Sequence, residues 1–351
     1  MRRKFAKSFA GEFPKTGTAI RDKDRTRGNT TDVNKPERKV LEVSLTMPVK
    51  HTGLRGEIKY GEVLSRHTSW RVGGPAACYF QPADMDDLAL FLSQLPADED
   101  VYWLGLGSNL LVRDGGFKGS IICTSGVLGG IRFLSHEQVE VEAGVACPKV
   151  AKQCAKQGLK NAEFLSGIPG TMGGALAMNA GAFGGETWQI VKSVRTVDKR
   201  GVFHERTPDD FEIGYRHVKG NSGEWFVSAV LQLEAGDAHA LLEKNKQLLA
   251  KRGATQPTQQ PNAGSVFRNP PGDYAARLIE EAGLKGCCIG GACVSDKHAN
   301  FIVNTGTATA SDIETLIMKV AATVKQIHGI ELIPEVCIVG QQADQRQHEE
   351  K

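Results

Sequence analysis

Long apolar runs are missing from this sequence. None approaches the roughly 20 residues that a membrane-spanning helix needs, and the amino-terminal segment lacks the apolar stretch of a secretory signal. These absences predict a cytoplasmic protein with no membrane partner. Metal-ligand spacing is missing too. The eight cysteines form no CxxC pair, and most sit among apolar neighbours, as in Ile121-Ile122-Cys123. Free buried thiols are therefore expected, with no disulfide and no metal. Net charge is small, +3 over 351 residues, and unevenly placed. Residues 1–46 hold twelve Lys or Arg against six acids, so the remainder carries −3. A slightly acidic body gives no footing for nucleic acid. The basic segment has no apolar periodicity and is expected to be a disordered tail, with a second polar tail at 341–351. An arm that binds anionic surfaces is the other reading of residues 1–46, and Met47 is an alternative start.

Glycine is what the chain has in quantity, 40 residues, and its clusters mark where backbone turns tightly or approaches a ligand. Around them short strands and helices alternate without repeat. Asp84 is placed to cap a helix whose Leu88, Phe91, Leu92 and Leu95 share one face and which Pro96 ends. Strands are expected at Val101–Leu106, Gly119–Thr124 and Phe226–Leu233. Hairpins should pair Ile131–Leu134 with Val139–Ala143 and Val191–Val197 with Val202–Glu205. Pro148 suits the first turn of a helix that Gly158 closes. Three helices follow, Asp237–Gly253, Asp273–Gly283 and Ser311–Gly329. The last has Ile313, Leu316, Ile317, Val320, Val324 and Ile327 as its apolar stripe. Strands at Phe301–Val303 and Leu332–Val339 flank it. This segregation of strands and helices argues an α+β fold over a doubly wound parallel sheet.

Two glycine loops carry the strongest chemical signal. Ser166-Gly167-Ile168-Pro169-Gly170-Thr171-Met172-Gly173-Gly174-Ala175 continues to Asn179-Ala180-Gly181 with few charges and nothing large before Phe183. Such a loop brings backbone N–H groups against an anion, with a short helix at Gly174–Met178 adding its positive end. A tight crossover at a sheet corner is the structural alternative. The other loop, Gly105-Leu106-Gly107-Ser108-Asn109-Leu110, follows a strand but lacks the third glycine of the dinucleotide fingerprint. Two separated loops around one pyrophosphate point toward FAD.

Six motifs then occur in a telling order. They are His67-Thr68-Ser69-Trp70-Arg71-Val72-Gly73-Gly74-Pro75-Ala76, the run from Gly105 to Val112, the run from Ser166 to Ala182, Gly214-Tyr215-Arg216, the run from Asn262 to Pro270, and Ile333-Pro334-Glu335-Val336. From about Leu54 to Gly340 the chain resembles the UDP-N-acetylenolpyruvoylglucosamine reductase family. Only 48 residues separate Arg216 from Ser265, which leaves no room for the tyrosine-bearing insertion of the family's longer class. The resemblance is thus to the shorter class. It implies non-covalent FAD in a fold of the vanillyl-alcohol-oxidase/PCMH type, in subdomains 54–125 and 126–235, and an α+β substrate-binding domain at 236–340. It also implies NADPH-dependent reduction of UDP-N-acetylglucosamine enolpyruvate to UDP-N-acetylmuramate, in peptidoglycan precursor synthesis.

On the same footing, FAD contacts are expected at Gly105, Gly107, Ser108, Asn109, Leu110, Ser166, Gly167, Ile168, Pro169, Gly170, Thr171, Gly173, Gly174, Asn179, Ala180 and Gly181, with Arg71 and Gly73 close by. Arg216, Ser265 and Glu335 match the family's catalytic positions, and Arg268 and Asn269 match substrate contacts. The residues allow this. Arg216 has a planar fork suited to a carboxylate, although a surface arginine beside a turn would look the same. Ser265 is a weak acid that serves only near positive charge; otherwise it is a turn serine. Glu335 lies in a segment apolar on both faces, where a carboxylate is costly unless paired, in a site or in a structural ion pair. A monomer is expected. The competing readings are another FAD oxidoreductase on the same scaffold and a non-catalytic nucleotide-sugar binding module.

Overall fold

The computed structural model describes residues 51–343. The tail expected at 1–46, the Met47 start and most of the segment 341–351 lie outside the described residues. The first lobe begins with β1 (Glu57–Val63), antiparallel to β2 (Pro75–Gln81). Helix α1 (Met85–Gln94) follows, and the Asp84 carboxylate accepts the Asp87 N–H at its start, as its sequence position predicts. Then come β3 (Val101–Leu104), β4 (Leu110–Val112) and β5 (Phe117–Cys123). The sheet order is β1-β2-β5-β3, with β5 parallel to both neighbours. Leu88, Phe91 and Leu92 of α1 bury against Phe80 and Ile122.

The second lobe is an antiparallel sheet with helices against it. Its elements are β6 (Ile131–Phe133), β7 (Gln138–Glu142), α2 (Cys147–Lys156), β8 (Leu159–Lys160), α3 (Met172–Met178), β9 (Gly181–Ala182), β10 (Gly185–Glu186), β11 (Val191–Asp198), β12 (Phe203–Arg206), β13 (Glu212–Gly214), β14 (His217–Lys219), β15 (Glu224–Gln232) and β16 (Glu234–Ala235). The five-stranded order is β12-β11-β15-β7-β6. The two hairpins expected from sequence are both present, β6 with β7 and β11 with β12. Pro148 opens α2, and Gly158 beyond its end takes φ +66°.

The third part holds α4 (Ala238–Thr255), α5 (Ala275–Glu281), β17 (Cys288–Ile289), β18 (Ala292–Val294), β19 (Ile302–Asn304), α6 (Ala310–His328) and β20 (Cys337–Val339). Helix α4 packs on the second lobe, where Asn245 donates to the Ala151 carbonyl at 3.2 Å and Lys244 meets Glu163 at 2.8 Å. The other elements build a core around the α6 stripe. Ile313, Leu316, Ile317, Val320 and Val324 are buried, whereas Ile327 in the last turn is 55% exposed. That core also takes in Trp70, Val72 and Leu111 from the first lobe. Trp70 is fully buried and donates its indole N–H to the Ile302 carbonyl at 2.7 Å. Strand β20 pairs in parallel with β4. The Asp114 carboxylate accepts the N–H groups of Ala310 and Ser311 at the start of α6. Lobes distant in sequence are thereby locked together.

Two expectations are corrected, and two strands are added. The strand expected across Leu332–Val339 is reduced to β20, because Pro334 has no N–H to give and makes only an isolated bridge to Phe267. The first-lobe strands β1 and β2 were not anticipated. Cys288 and Cys293 are disulfide-bonded, because antiparallel β17 and β18 set them directly opposite each other; the other six cysteines are free.

Candidate functional site

A cavity of about 460 Å³ opens where the three parts meet. Its lining includes Gly105, Gly107, Ser108, Asn109 and Leu110 from the first glycine loop, and Gly167, Ile168, Pro169, Gly170, Thr171, Gly174, Ala180 and Gly181 from the second. Arg216, Ser265 and Glu335 line the same space. The two loops approach closely. A side chain at Gly105 would stand 2.4 Å from Thr171 Oγ1, and one at Gly107, already at φ +60°, would stand 2.2 Å from the His67 carbonyl. Only glycine admits such backbone there.

The other expected residues stand off the lining. Gly173 is turned away from the cavity. Its N–H is spent on the Ala143 carbonyl at 2.9 Å, and an added Cβ would lie 2.9 Å from Ala143 Cβ. The glycine therefore serves close helix–strand packing, because α3 starts at Met172 rather than at Gly174. Ser166 is buried and donates to the Glu163 carbonyl at 2.6 Å. Asn179 is 2% exposed and left-handed at φ 44°. Its amide donates to Glu186 and to the Gly214 carbonyl, and its oxygen accepts the Trp188 N–H. Arg71 is exposed, and Gly73 packs near Val112. Asn269 accepts the Ala275 N–H at the start of α5. Arg268 is outside the lining, with Nε buried and unpartnered among the described residues.

Two charged residues of the lining, Arg216 and Glu335, come from a hairpin turn and from the segment before β20. Arg216 sits at φ 52° in the two-residue turn between β13 and β14. Its Nε donates to Glu335 Oε1 at 2.9 Å, and its other nitrogens donate to the carbonyls of Gly181 at 3.1 Å and Asn179 at 3.4 Å. Three of a guanidinium's five N–H donors are thus used, and two remain for an incoming anion. Glu335 is held in place by its own N–H to the Val266 carbonyl and by Asn109, which donates to the Glu335 carbonyl at 3.1 Å. Burial pushes the Glu335 carboxyl above its ordinary pKa, while Arg216 and Arg268 pull it back. Ser265 follows Gly264, a left-handed glycine whose N–H is tied to Asn262. Its hydroxyl makes no hydrogen bond among the described residues.

Sequence reasoning missed several lining residues: Tyr102, Phe183, Arg252, Gln256, Phe301 and Cys337. Phe183 had a signal, as the first bulky residue after a glycine run, and it sits at φ 54° in the tip between β9 and β10. Arg252 and Gln256 had none, because nothing local reveals that the end of α4 reaches this cavity.

The residues suit a flavin dinucleotide. Thr171 Oγ1 is buried on the cavity wall without a partner, and Gly170 faces Ser108 across the gap, its added Cβ 3.5 Å from the Ser108 hydroxyl. An acceptor between the loops would satisfy the orphaned hydroxyl. Among the described residues no group of three His, Cys, Asp or Glu could hold a metal ion, and no helix is long and apolar enough to cross a membrane.

Comparison with known proteins agrees. Residues 76–206 match the family described as FAD binding domain, and residues 256–339 match the C-terminal domain of UDP-N-acetylenolpyruvoylglucosamine reductase. A UDP-N-acetylenolpyruvoylglucosamine reductase from Alkalilimnicola ehrlichii is 58% identical over 286 residues, 82% of this chain and 96% of the relative. The crystal structure of the corresponding Thermus caldophilus reductase superposes with TM-score 0.68 at 32% identity, over 81% of this chain and 99% of that one. The 6-hydroxy-D-nicotine oxidase of Arthrobacter nicotinovorans shares the fold alone, at TM-score 0.51 and 11% identity, over 82% of this chain and 90% of that one. The α+β architecture is therefore the FAD-binding fold of the PCMH type with an added C-terminal domain, and the chain belongs to the UDP-N-acetylenolpyruvoylglucosamine reductase family of FAD-dependent oxidoreductases.

Proposed function

We propose that this enzyme reduces the enolpyruvyl ether of UDP-N-acetylglucosamine to UDP-N-acetylmuramate with electrons from NADPH, in the cytoplasm, as a step of peptidoglycan precursor synthesis. The observation that supports it most is a single cavity lined by Arg216, fixed by Glu335, and by Ser265. Gly105, Gly107, Gly170 and Thr171 would hold FAD, which would supply a hydride relay between NADPH and the double bond.

The chain's own residues supply the rest. An enol ether is electron-rich, so hydride addition to its methylene carbon needs the attached carboxylate to take up negative charge. Arg216 has two N–H donors left for that carboxylate, already aimed by three other hydrogen bonds. Preorganised donors of this kind stabilise developing charge without reorienting, by roughly 3–4 kcal/mol each. The adjacent carbon then takes a proton, which Ser265 gives from a hydroxyl with no competing acceptor among the described residues. Glu335 keeps the Arg216 fork in place by accepting its Nε–H at 2.9 Å.

The deciding measurement uses NADPH-reduced enzyme without oxygen. Addition of UDP-N-acetylglucosamine enolpyruvate should reoxidise the flavin at once. A flavin that stays reduced with that compound, yet is reoxidised by oxygen, would assign the scaffold to another substrate.

A further inference from the structure

The cavity wall carries a cation that this chemistry does not use. Arg252 stands in the last turn of α4 and lines the same cavity as Gly264 and Ser265. Its Nε donates to Gln256 Oε1 at 3.1 Å, and Gln256 is held in turn by its N–H to the Arg252 carbonyl at 2.9 Å. The outer guanidinium nitrogens have no hydrogen-bond partner, and no carboxylate lies within ion-pair distance, among the described residues. Three other partly buried arginines are paired, Arg113 with Glu314, Arg206 with Glu224 and Arg216 with Glu335, whereas Arg268, which does not line the cavity, is like Arg252 in making no ion pair among the described residues. Burial alone moves the Arg252 pKa downward, as expected of a cation taken from water without a counter-charge. The carbonyl end of α4 offsets part of that cost but leaves the outer fork unfilled.

We propose that Arg252, oriented by Gln256, binds the pyrophosphate of the nucleotide that enters this cavity. The inference rests on the proposed function, which offers two sources of that group, the UDP-sugar and the nicotinamide dinucleotide. A planar fork whose end-on edge, Nη1 and Nη2, is free suits phosphate oxygens. A single Nε contact to a neutral amide fixes its direction without competing for its charge. The assignment makes the last turn of α4, which is packed on the second lobe, part of the nucleotide site.

The test measures binding of UDP, uridine and NADP+ to the FAD-loaded full chain by calorimetry. R252Q should weaken UDP, NADP+ or both by roughly 10- to 100-fold, the worth of a charge-assisted hydrogen bond, and leave uridine unchanged. R252K should recover part of the loss. A loss confined to UDP assigns the sugar nucleotide, and one confined to NADP+ assigns the dinucleotide. Flavin content and melting temperature at wild-type levels show that the variant is folded; should R252Q not fold, Q256L, which frees the fork without removing it, should weaken the same ligands severalfold. Unchanged affinity for both phosphorylated ligands in folded R252Q, or in Q256L where R252Q does not fold, overturns the assignment while leaving the proposed function standing. A wild-type protein that binds neither UDP nor NADP+ overturns both.

Discussion

The Arg216 guanidinium and the Glu335 carboxylate, 119 positions apart, meet at 2.9 Å on the wall of the cavity. Their side chains are 17% and 14% exposed, so the pair is largely withdrawn from water. Removing either partner leaves the other's charge poorly solvated, which is far more costly than losing an exposed ion pair.

The pair predicts a pH signature. Because burial raises the Glu335 pKa, the folded protein keeps that proton where the unfolded chain has released it. This carboxyl's contribution to stability is full below its ordinary value of 4.5 and is lost as pH rises through the folded value. Thermal melts of wild type and Glu335→Gln across pH 4–8 should show wild type losing ground to the variant as pH rises. Arg216→Met removes the charge that lowers the pKa, so the loss should extend to higher pH. A constant gap between wild type and Glu335→Gln would mean that Glu335 titrates normally.

Gly170 and Gly173 should behave differently despite sharing a motif. Gly170→Val projects toward Ser108 across the cavity, so FAD affinity should fall while the apoprotein melts as before. Gly173→Val drives a side chain into Ala143, so the apoprotein itself should lose about 1–3 kcal/mol. Comparing apoprotein melting with flavin titration separates the two.

Asn179→Ala should loosen the turn that presents Arg216. The change strands the Gly214 carbonyl and the Trp188 N–H in a buried site, at about 1–3 kcal/mol. Reoxidation by the enolpyruvyl substrate should slow much more than reduction by NADPH. Equal slowing of both in stopped flow would make Asn179 a support of the whole cavity instead.

Ser265→Ala should leave flavin reduction by NADPH nearly intact and slow reoxidation by the enolpyruvyl substrate by roughly two to four decades. Ser265→Cys keeps a donor of similar reach and should recover part of the rate. Equal slowing of both half-reactions in the alanine variant would make Ser265 a structural residue of its loop.

What could be read from the chain was local or carried by resemblance. Asp84 caps α1 because a carboxylate three residues before an amide needs no distant partner. The two second-lobe hairpins and the α6 stripe follow from short-range alternation and helical period. Gly173 shows the limit. Its motif promised a cofactor contact, yet only the position of Ala143, thirty residues earlier in the chain, reveals that the glycine is there to let α3 sit against β7. Cys288 and Cys293 show it too, since no CxxC spacing warns that a hairpin will set them side by side.

The order of motifs in the chain was enough for the family and the α+β class, and it singled out Arg216, Ser265 and Glu335 as candidates. Tertiary structure alone decided which of those residues share a space, that Asn179 braces the Arg216 turn, and that Arg252 reaches the same cavity unpaired. The reason is physical. Caps, turns and periodic faces are settled by neighbours within a few residues, whereas a cavity is made by closing the chain on itself, and here strand β20 beside β4 and Trp70 against Ile302 make that closure.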